Sequence, residues 1–378
     1  MIAMSVIGNT KVRFSEEQGM ILDSAREFCR DKSSVSAVRA QLNTATGYEQ
    51  SVWDEIVSLG WLGITLPETY GGSQLGVAGV VPVVEAMGRG LLGTPLISTT
   101  LAAQLILRAA NSEQAERLLP GIAEGTTATI AVLENGDWGG TSIGCSIDDQ
   151  GVLSGTKKFV ADGSVAQLFV VSVLHDNVPA LAIVNKDQLS DNKLTQNTLI
   201  DETKRAATVD FSGITVQANN LITGDAVVRA LRDCHLIGAL LVAAEATGAA
   251  AACLDTVVEY LKTRKQFGNL IGSYQALKHP AVDILTSMDS ARSFVYHAAT
   301  MVTDEALDSD AQSACRMAKV QATDALIFAG DRAVQFHGGM GFTYECDAQL
   351  YIRRAQWAQQ QFGDAQHHRK HLAKLLLD

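Results

Sequence analysis

Apolar residues recur every three or four positions across Phe14–Asp31 (FSEEQGMILDSAREFCRD), with Ser15 placed as an N-cap and acids in the first turn, and this spacing predicts a helix. The same period predicts helices over Val52–Ser58, Leu75–Arg89, Leu96–Asn111 and Ser112–Glu124. Between them GWLGITLPETYGG (Gly60–Gly72), punctuated by Pro67 and the pair Gly71-Gly72, reads as a loop. Near Thr126 the pattern changes to short runs rich in Val, Ile, Thr and Phe, separated by Gly, Asp and Asn, and these predict strands as far as Ile222. From Gly224 the helical period returns. Four long helices, Asp225–Thr263, Gln275–Ala306, Ser309–Phe336 and Ala348–Gln361, carry apolar faces that pack as a bundle. The expected fold is therefore α+β in three domains: helical over 1–125, a small antiparallel β-barrel or sandwich over 126–222, and a four-helix bundle over 223–378.

Composition narrows the possibilities without choosing a function. With 378 residues, 47% hydrophobic and 19% charged, the chain can build several cores and is not a disordered sequence. The most apolar region, Leu236–Leu254, contains Glu245 and many alanines, which fits a helix buried among helices rather than a membrane span. Met1–Phe14 lacks the basic start and apolar block of a secretory leader, so a cytoplasmic location is expected. Six scattered cysteines with no C-x-x-C pair argue against a disulfide framework or zinc site. A net charge of −11 and the lack of a basic stripe argue against nucleic acid as a partner.

Two stretches concentrate candidate chemistry. Asp331–Asp364 begins as a helix, breaks at HGGMG and resumes as a helix at Ala348. Gly338 and Gly339 let backbone amides approach an anionic or planar ligand, since no side chain intervenes; alone, such a break equally fits a tight turn between packed helices. The second stretch, TRKQFGNLIGSYQALKH (Thr263–His279), offers three groups: Arg264, a fork of donors matched to a pyrophosphate; Gln266, suited to a phosphate or ribose; and Phe267, a flat apolar surface. Read by themselves, Arg264 and Lys265 also fit a solvated helix end, and Phe267 a core.

Together the two stretches resemble the acyl-CoA dehydrogenase family. There, Q-x-x-G-G-x-G-F and R-K-x-F-G segments of one subunit hold the adenosine-diphosphate end of a FAD whose flavin lies in the neighbouring subunit. Both segments stand complete here. The resemblance implies FAD contacts at Arg264, Gln266, Phe267, Gln335, Gly338 and Gly339, with Tyr274 and Gln275 as looser matches. It extends over nearly the whole chain, through the order helix, β, helix, the loop at Gly60–Gly72, and the segments Leu153–Ser172 and Thr208–Val216. The ending FGDAQHHRKHLA is similar to a branch of actinobacterial enzymes, several of which handle steroid-derived acyl-CoAs.

An acyl-CoA dehydrogenase removes an α-proton with a carboxylate while the β-hydride passes to the flavin. The family's commonest base is the Glu of a Y-E-G-T segment after an R-D pair. Matching that pair to Arg353-Arg354 and the glycine to Gly363 puts Phe362 at the Glu. A minority of the family carries the Glu at the position of Gly238, usually followed by an arginine where this chain has Ala239. The flavin-facing T-E-P-x-x-G-S-D stretch is replaced by LENGDWGGTS (Leu133–Ser142), which keeps only Glu134, and the hydroxyl residue of the W-I-T segment is Ala161. Four departures at one site, beside complete nucleotide segments, imply the loss of one half-site.

The expectation is thus a subunit with no catalytic residue and no metal, completing the FAD site of a homologous catalytic chain in an α2β2 assembly. Acyl-CoA is the implied substrate and an electron-transfer flavoprotein the implied acceptor; no membrane partner is expected. Two rival readings stay open: a homotetrameric dehydrogenase using Asp364 as base, and a non-enzymatic acyl-CoA-binding or scaffold protein. His367, His368 and His371 share a helical face without a carboxylate or cysteine at ligand spacing, which fits an exposed C-terminal helix. Glu245 and Asp255 fit internal pairs or solvent contact, and His337 shapes the glycine turn.

Overall fold

The structure, a computed structural model, describes residues 16–377. Six α-helices open the described residues: α1 (Glu16–Lys32), α2 (Val35–Gln41), α3 (Gln50–Ser58), α4 (Gly76–Gly90), α5 (Leu96–Ala109) and α6 (Ser112–Ala123). Ser15, the expected cap of α1, lies outside the described residues. Helix α2 has no counterpart in the periodicity; it is started by Ser34, whose hydroxyl accepts the Ala37 N–H at 3.3 Å. Helix α6 begins with a capping box between Asn111 and Gln114.

The middle of the chain forms two sheets from nine strands: β1 (Ala128–Ala131), β2 (Ser146–Ile147), β3 (Leu153–Ser154), β4 (Thr156–Ala161), β5 (Leu168–His175), β6 (Val178–Asn185), β7 (Leu194–Gln196), β8 (Ala206–Asp210) and β9 (Leu221–Ile222). One sheet runs β3-β2-β5-β6-β9, with β1 also on β5; the other runs β4-β8-β7. Two sheets with a core between them meet the expected sandwich, but the expectation that it is antiparallel is corrected in part. β1 pairs with β5 in parallel at Leu168–Val171, and β2 does so at Leu174–His175. The physical reason is that β1 and β2 follow one another along the same side of β5, interrupted by an excursion over residues 132–145, and β3 then adds to β2.

Strands β5 and β6 are buried on both faces. Phe169, Val171 and Val173 of β5 face a core between the sheets, whereas Leu168 and Val170 join the helical core. This is why QLFVVSVL and PALAIVN read as continuous apolar runs rather than alternating ones.

The C-terminal part holds α7 (Ala226–Thr263), a hairpin of β10 (Lys265–Gln266) and β11 (Asn269–Leu270), then α8 (Gln275–Met301), α9 (Ser309–His337), α10 (Ala348–Gln360) and α11 (Ala365–Leu377). Helix α8 stops short of the expected Ala306. The chain turns there so that the Leu307 N–H donates to Asp233 at 3.1 Å and Asp308 caps α9. Helix α7 is long and apolar enough to cross a membrane by length and composition, yet its apolar window is wholly buried.

One continuous hydrophobic core spans α1, α3, α4 and α5 together with α7, α8 and α9. Helices α4 and α7 cross at near backbone contact. A Cβ on Gly248 would meet the Glu85 carbonyl oxygen at 1.8 Å, and one on Gly88 would meet that of Glu245 at 2.0 Å. Glu85, buried by this crossing, pairs with Arg292 at 3.1 Å and accepts from the Tyr296 hydroxyl at 2.6 Å.

Candidate functional site

The nucleotide-like segments fold into one groove of about 520 Å³ at the C-terminal end of α7. Arg264 leaves the helix in extended conformation, and its carbonyl accepts the Ile271 N–H at 2.9 Å, which closes the hairpin. Phe267 and Gly268 form the two-residue turn with φ of 53° and 78°, as a type I′ hairpin turn demands. That geometry puts Phe267 at the tip, 90% exposed. Tyr274 braces the hairpin through its hydroxyl, which donates to the Gln266 carbonyl at 3.3 Å.

On the opposite wall α9 ends at His337, and Gly338 takes φ of 60°. A Cβ at Gly338 or Gly339 would meet no atom within 4 Å, so the backbone there lies open to a ligand. Six of the eight expected contact residues therefore line the groove: Arg264, Gln266, Phe267, Tyr274, Gly338 and Gly339. Gln275 and Gln335 are exposed but are not among the lining residues. Sequence reasoning missed Tyr260, whose ring stacks on His337 at 4.2 Å; its place one helical turn before Arg264 was the available signal. His337 is fixed by a 2.7 Å contact of Nδ1 with the Ala333 carbonyl, in keeping with a turn-shaping role. Exposed Leu270, Met340, Phe342 and Tyr344 add an apolar surface on the same two segments.

Phe362 and Gly238, the residues at the two expected base positions, lie 124 apart in sequence and meet at one point. Phe362, at φ of 54°, lays its ring on Gly238, where a Cβ would lie 2.6 Å from the ring atoms. His235, one turn earlier on α7, meets that ring edge-on at 5.7 Å. The turn carrying Phe362 is anchored from below by the buried Lys319, whose ammonium donates to the Gly363 carbonyl at 3.0 Å and the Gln359 carbonyl at 3.2 Å. Burial holds the Lys319 ammonium down to about 7. Asp364 serves as the start of α11: its Oδ1 accepts the His367 N–H at 2.8 Å.

The segments expected to face the flavin pack against other parts of the chain. Within the excursion between β1 and β2, Trp138 packs on Phe159 with ring centroids 4.7 Å apart, and Gly139 sits against the His367 ring. Glu134 accepts the N–H groups of Gly144 at 2.8 Å and Cys145 at 3.0 Å, and pairs with Lys157 at 2.5 Å. These bonds hold its carboxyl below the usual range against the opposing effect of burial. Lys157 is fully buried and also reaches Ser172 at 2.9 Å.

Glu245, two turns along α7 from Gly238, lies 2.6 Å from Lys204 and 2.9 Å from Arg354, and Arg354 also grips Asp201. Asp255 pairs with Arg89. The expectation of an exposed C-terminal helix is corrected at one residue, since His368 is fully buried against Arg316. Turning one histidine inward lets α11 seat on α9, a contact that a polar-looking helix does not advertise. All six cysteines are free.

Residues 15–126 match the family description Acyl-CoA dehydrogenase, N-terminal domain, and residues 231–377 match Acyl-CoA dehydrogenase, C-terminal domain. The chain is 28% identical over 350 residues to acyl-CoA dehydrogenase IpdE2 of Mycolicibacterium smegmatis, spanning 92% of this chain and 95% of that one. Among solved structures it is similar to the Tcur3481-Tcur3483 steroid ACAD, with 26% identity and a TM-score of 0.84 over 96% of this chain and 98% of that one. Butyryl-CoA dehydrogenase from Megasphaera elsdenii shares the fold, with 23% identity and a TM-score of 0.85 over 97% and 99%. With its first helices and its last both matched, and a helix, β, helix fold shared from end to end, the chain belongs to the acyl-CoA dehydrogenase family.

Proposed function

We propose that this chain is a subunit of a FAD-dependent acyl-CoA dehydrogenase that lends its nucleotide groove to a homologous catalytic partner and has no base of its own. The observation that carries this reading is an asymmetry: the groove at Arg264 and Gly338 is open, while the base position is filled by Phe362 packed onto Gly238. The open groove fits the adenosine-diphosphate end of FAD. Arg264 would meet the pyrophosphate, Gln266 a ribose or phosphate oxygen, and the amides at Gly338 and Gly339 the remaining oxygens. Bound FAD supplies the hydride acceptor for α,β-desaturation of an acyl-CoA.

The flavin-side segments of this chain do not fit the other end. Trp138, Phe159, His367 and Phe362 already pack there, and a phenyl ring can neither take a proton nor hold the charge of a base. Asp364 is a poor substitute, because one of its carboxylate oxygens is engaged as a helix cap. Exposed Phe267, Phe342 and Tyr344 beside the groove give a partner chain an apolar surface to bury. Similarity to a steroid ACAD supports a steroid-derived acyl group, and the family supports an electron-transfer flavoprotein as acceptor.

The test is to purify the chain alone and with a co-expressed homologous chain from a neighbouring gene, then count FAD. Expected are a colourless chain alone and one FAD per two chains in a yellow α2β2 complex. A yellow homo-oligomer with one FAD per chain and acyl-CoA oxidation of its own overturns the reading.

A further inference from the structure

Helix α11 has one fully buried side chain among its described residues, and that side chain is a histidine. Nδ1 of His368 lies 3.3 Å from Nη1 of Arg316 on α9, and both residues are buried. A guanidinium only donates, so the contact requires Nδ1 to accept. The imidazole must therefore be neutral with its proton on Nε2, an atom that is itself buried without a partner.

The groups facing this pair are mostly basic. Lys319 approaches from α9, His235 from α7, and His367 and His371 from α11 itself; Arg232 of α7 adds charge beside Arg316. Few acids offset them. Asp364 caps α11, Asp324 pairs at the surface with Arg369 at 2.9 Å, and Asp137 reaches toward His367 from the excursion between β1 and β2. A proton on His368 would destroy its acceptor and set a second cation beside Arg316 where little water can screen the two. Burial first, then Lys319 and His235, hold the His368 imidazole down to about 2, and burial holds His235 down to about 3.

We propose that α11 is a proton-operated latch, seated while His368 is a neutral acceptor for Arg316 and released when that imidazole takes a proton. The latch covers the Phe362 turn. A Cβ on Gly363 would lie 2.6 Å from the His367 ring, and His367 stands 5.8 Å from the His235 that packs on Phe362. Release of α11 thus uncovers Phe362 and Gly238, whether or not a flavin is bound elsewhere. The sign follows from linkage. The released helix takes a proton at the ordinary histidine value near 6.5, whereas the seated one refuses it, so seating is complete above about 6.5 and weakens as the pH falls. Lys319, at about 7, is largely a cation throughout that lower range and does not reverse the trend.

The experiment is amide hydrogen exchange on the full-length chain at pH 7.5 and 5.5, corrected for intrinsic exchange and read on peptides covering 365–377. Each imidazole that must stay neutral contributes a loss of protection of about ten-fold at pH 5.5. His368→Gln keeps an acceptor that cannot be protonated, so it should match the wild type at pH 7.5 and lose about ten-fold less protection at pH 5.5. His368→Asn, a shorter acceptor that likewise cannot be protonated, should also lose about ten-fold less protection, which carries the test if the glutamine variant does not fold. Wild-type protection that is unchanged at pH 5.5, or an equal loss in wild type and both variants, overturns the latch.

Discussion

Replacing Arg264 with alanine separates ligand binding from folding, because nothing in the folded chain depends on the guanidinium. The side chain is exposed, and no hydrogen bond or ion pair to it is found among the described residues. The hairpin is held instead by backbone bonds of Arg264, its N–H to the Tyr260 carbonyl at 2.9 Å and its carbonyl to the Ile271 N–H at 2.9 Å. Both survive truncation to alanine. Stability should therefore move by no more than about 0.5 kcal/mol, as for an exposed position without special features. A charge-assisted bond to a phosphate is worth roughly 1.5–3 kcal/mol, and in a groove open to salt the lower end applies. That end corresponds to about a ten-fold rise in the Kd for FAD. The assay is titration of FAD into the flavin-stripped complex, followed by flavin fluorescence, for wild type, Arg264→Ala and Arg264→Lys. Lysine should restore only part of the affinity, because an ammonium lacks the two-pronged geometry. Added salt should narrow the gap between wild type and alanine. Equal FAD affinity for wild type and Arg264→Ala, with the complex intact, would falsify the shared groove.

Three further outcomes are expected. Phe362→Glu should leave the isolated chain colourless and inactive, while Phe362→Ala should leave turnover by the complex nearly unchanged; acyl-CoA oxidation by the first alone, or loss of activity by the second with assembly intact, contradicts a dead half-site. Gly248→Ala should cost about 3 kcal/mol in chemical denaturation, the upper end for overpacking, since the new methyl meets backbone rather than a movable side chain; a loss below about 1 kcal/mol would show that α4 and α7 can part cheaply. Arg354→Met should cost about 3–5 kcal/mol by leaving the buried Asp201 carboxylate without its cation and Glu245 with Lys204 alone. In the wild type Arg354 helps hold Asp201 below its ordinary value, so that contribution is present at neutral pH and lost in acid, and the deficit of the mutant should shrink as the pH falls.

Sequence alone determined the parts of this protein whose geometry is local. The length and phase of α7, α9 and α10 followed from the 3.6-residue period to within a residue or two. The Arg264–Phe267 and Gln335–Gly339 segments were legible as motifs, each set by the chain within a few residues; that they serve one ligand was implied only by the family resemblance, and the hairpin at Phe267-Gly268 and the groove the two segments share came from the fold. The tertiary structure decided what depends on distant segments meeting. Gly238 and Phe362 look like two separate vacancies in the sequence, and only the packing of the α10–α11 turn onto α7 makes them one filled place. His368 reads as a surface residue, because a polar side chain is buried only when a partner such as Arg316 arrives from elsewhere. The parallel pairing of β1 and β2 with β5 was likewise hidden, since an alternating or apolar run records which faces are covered and not the direction of its neighbour.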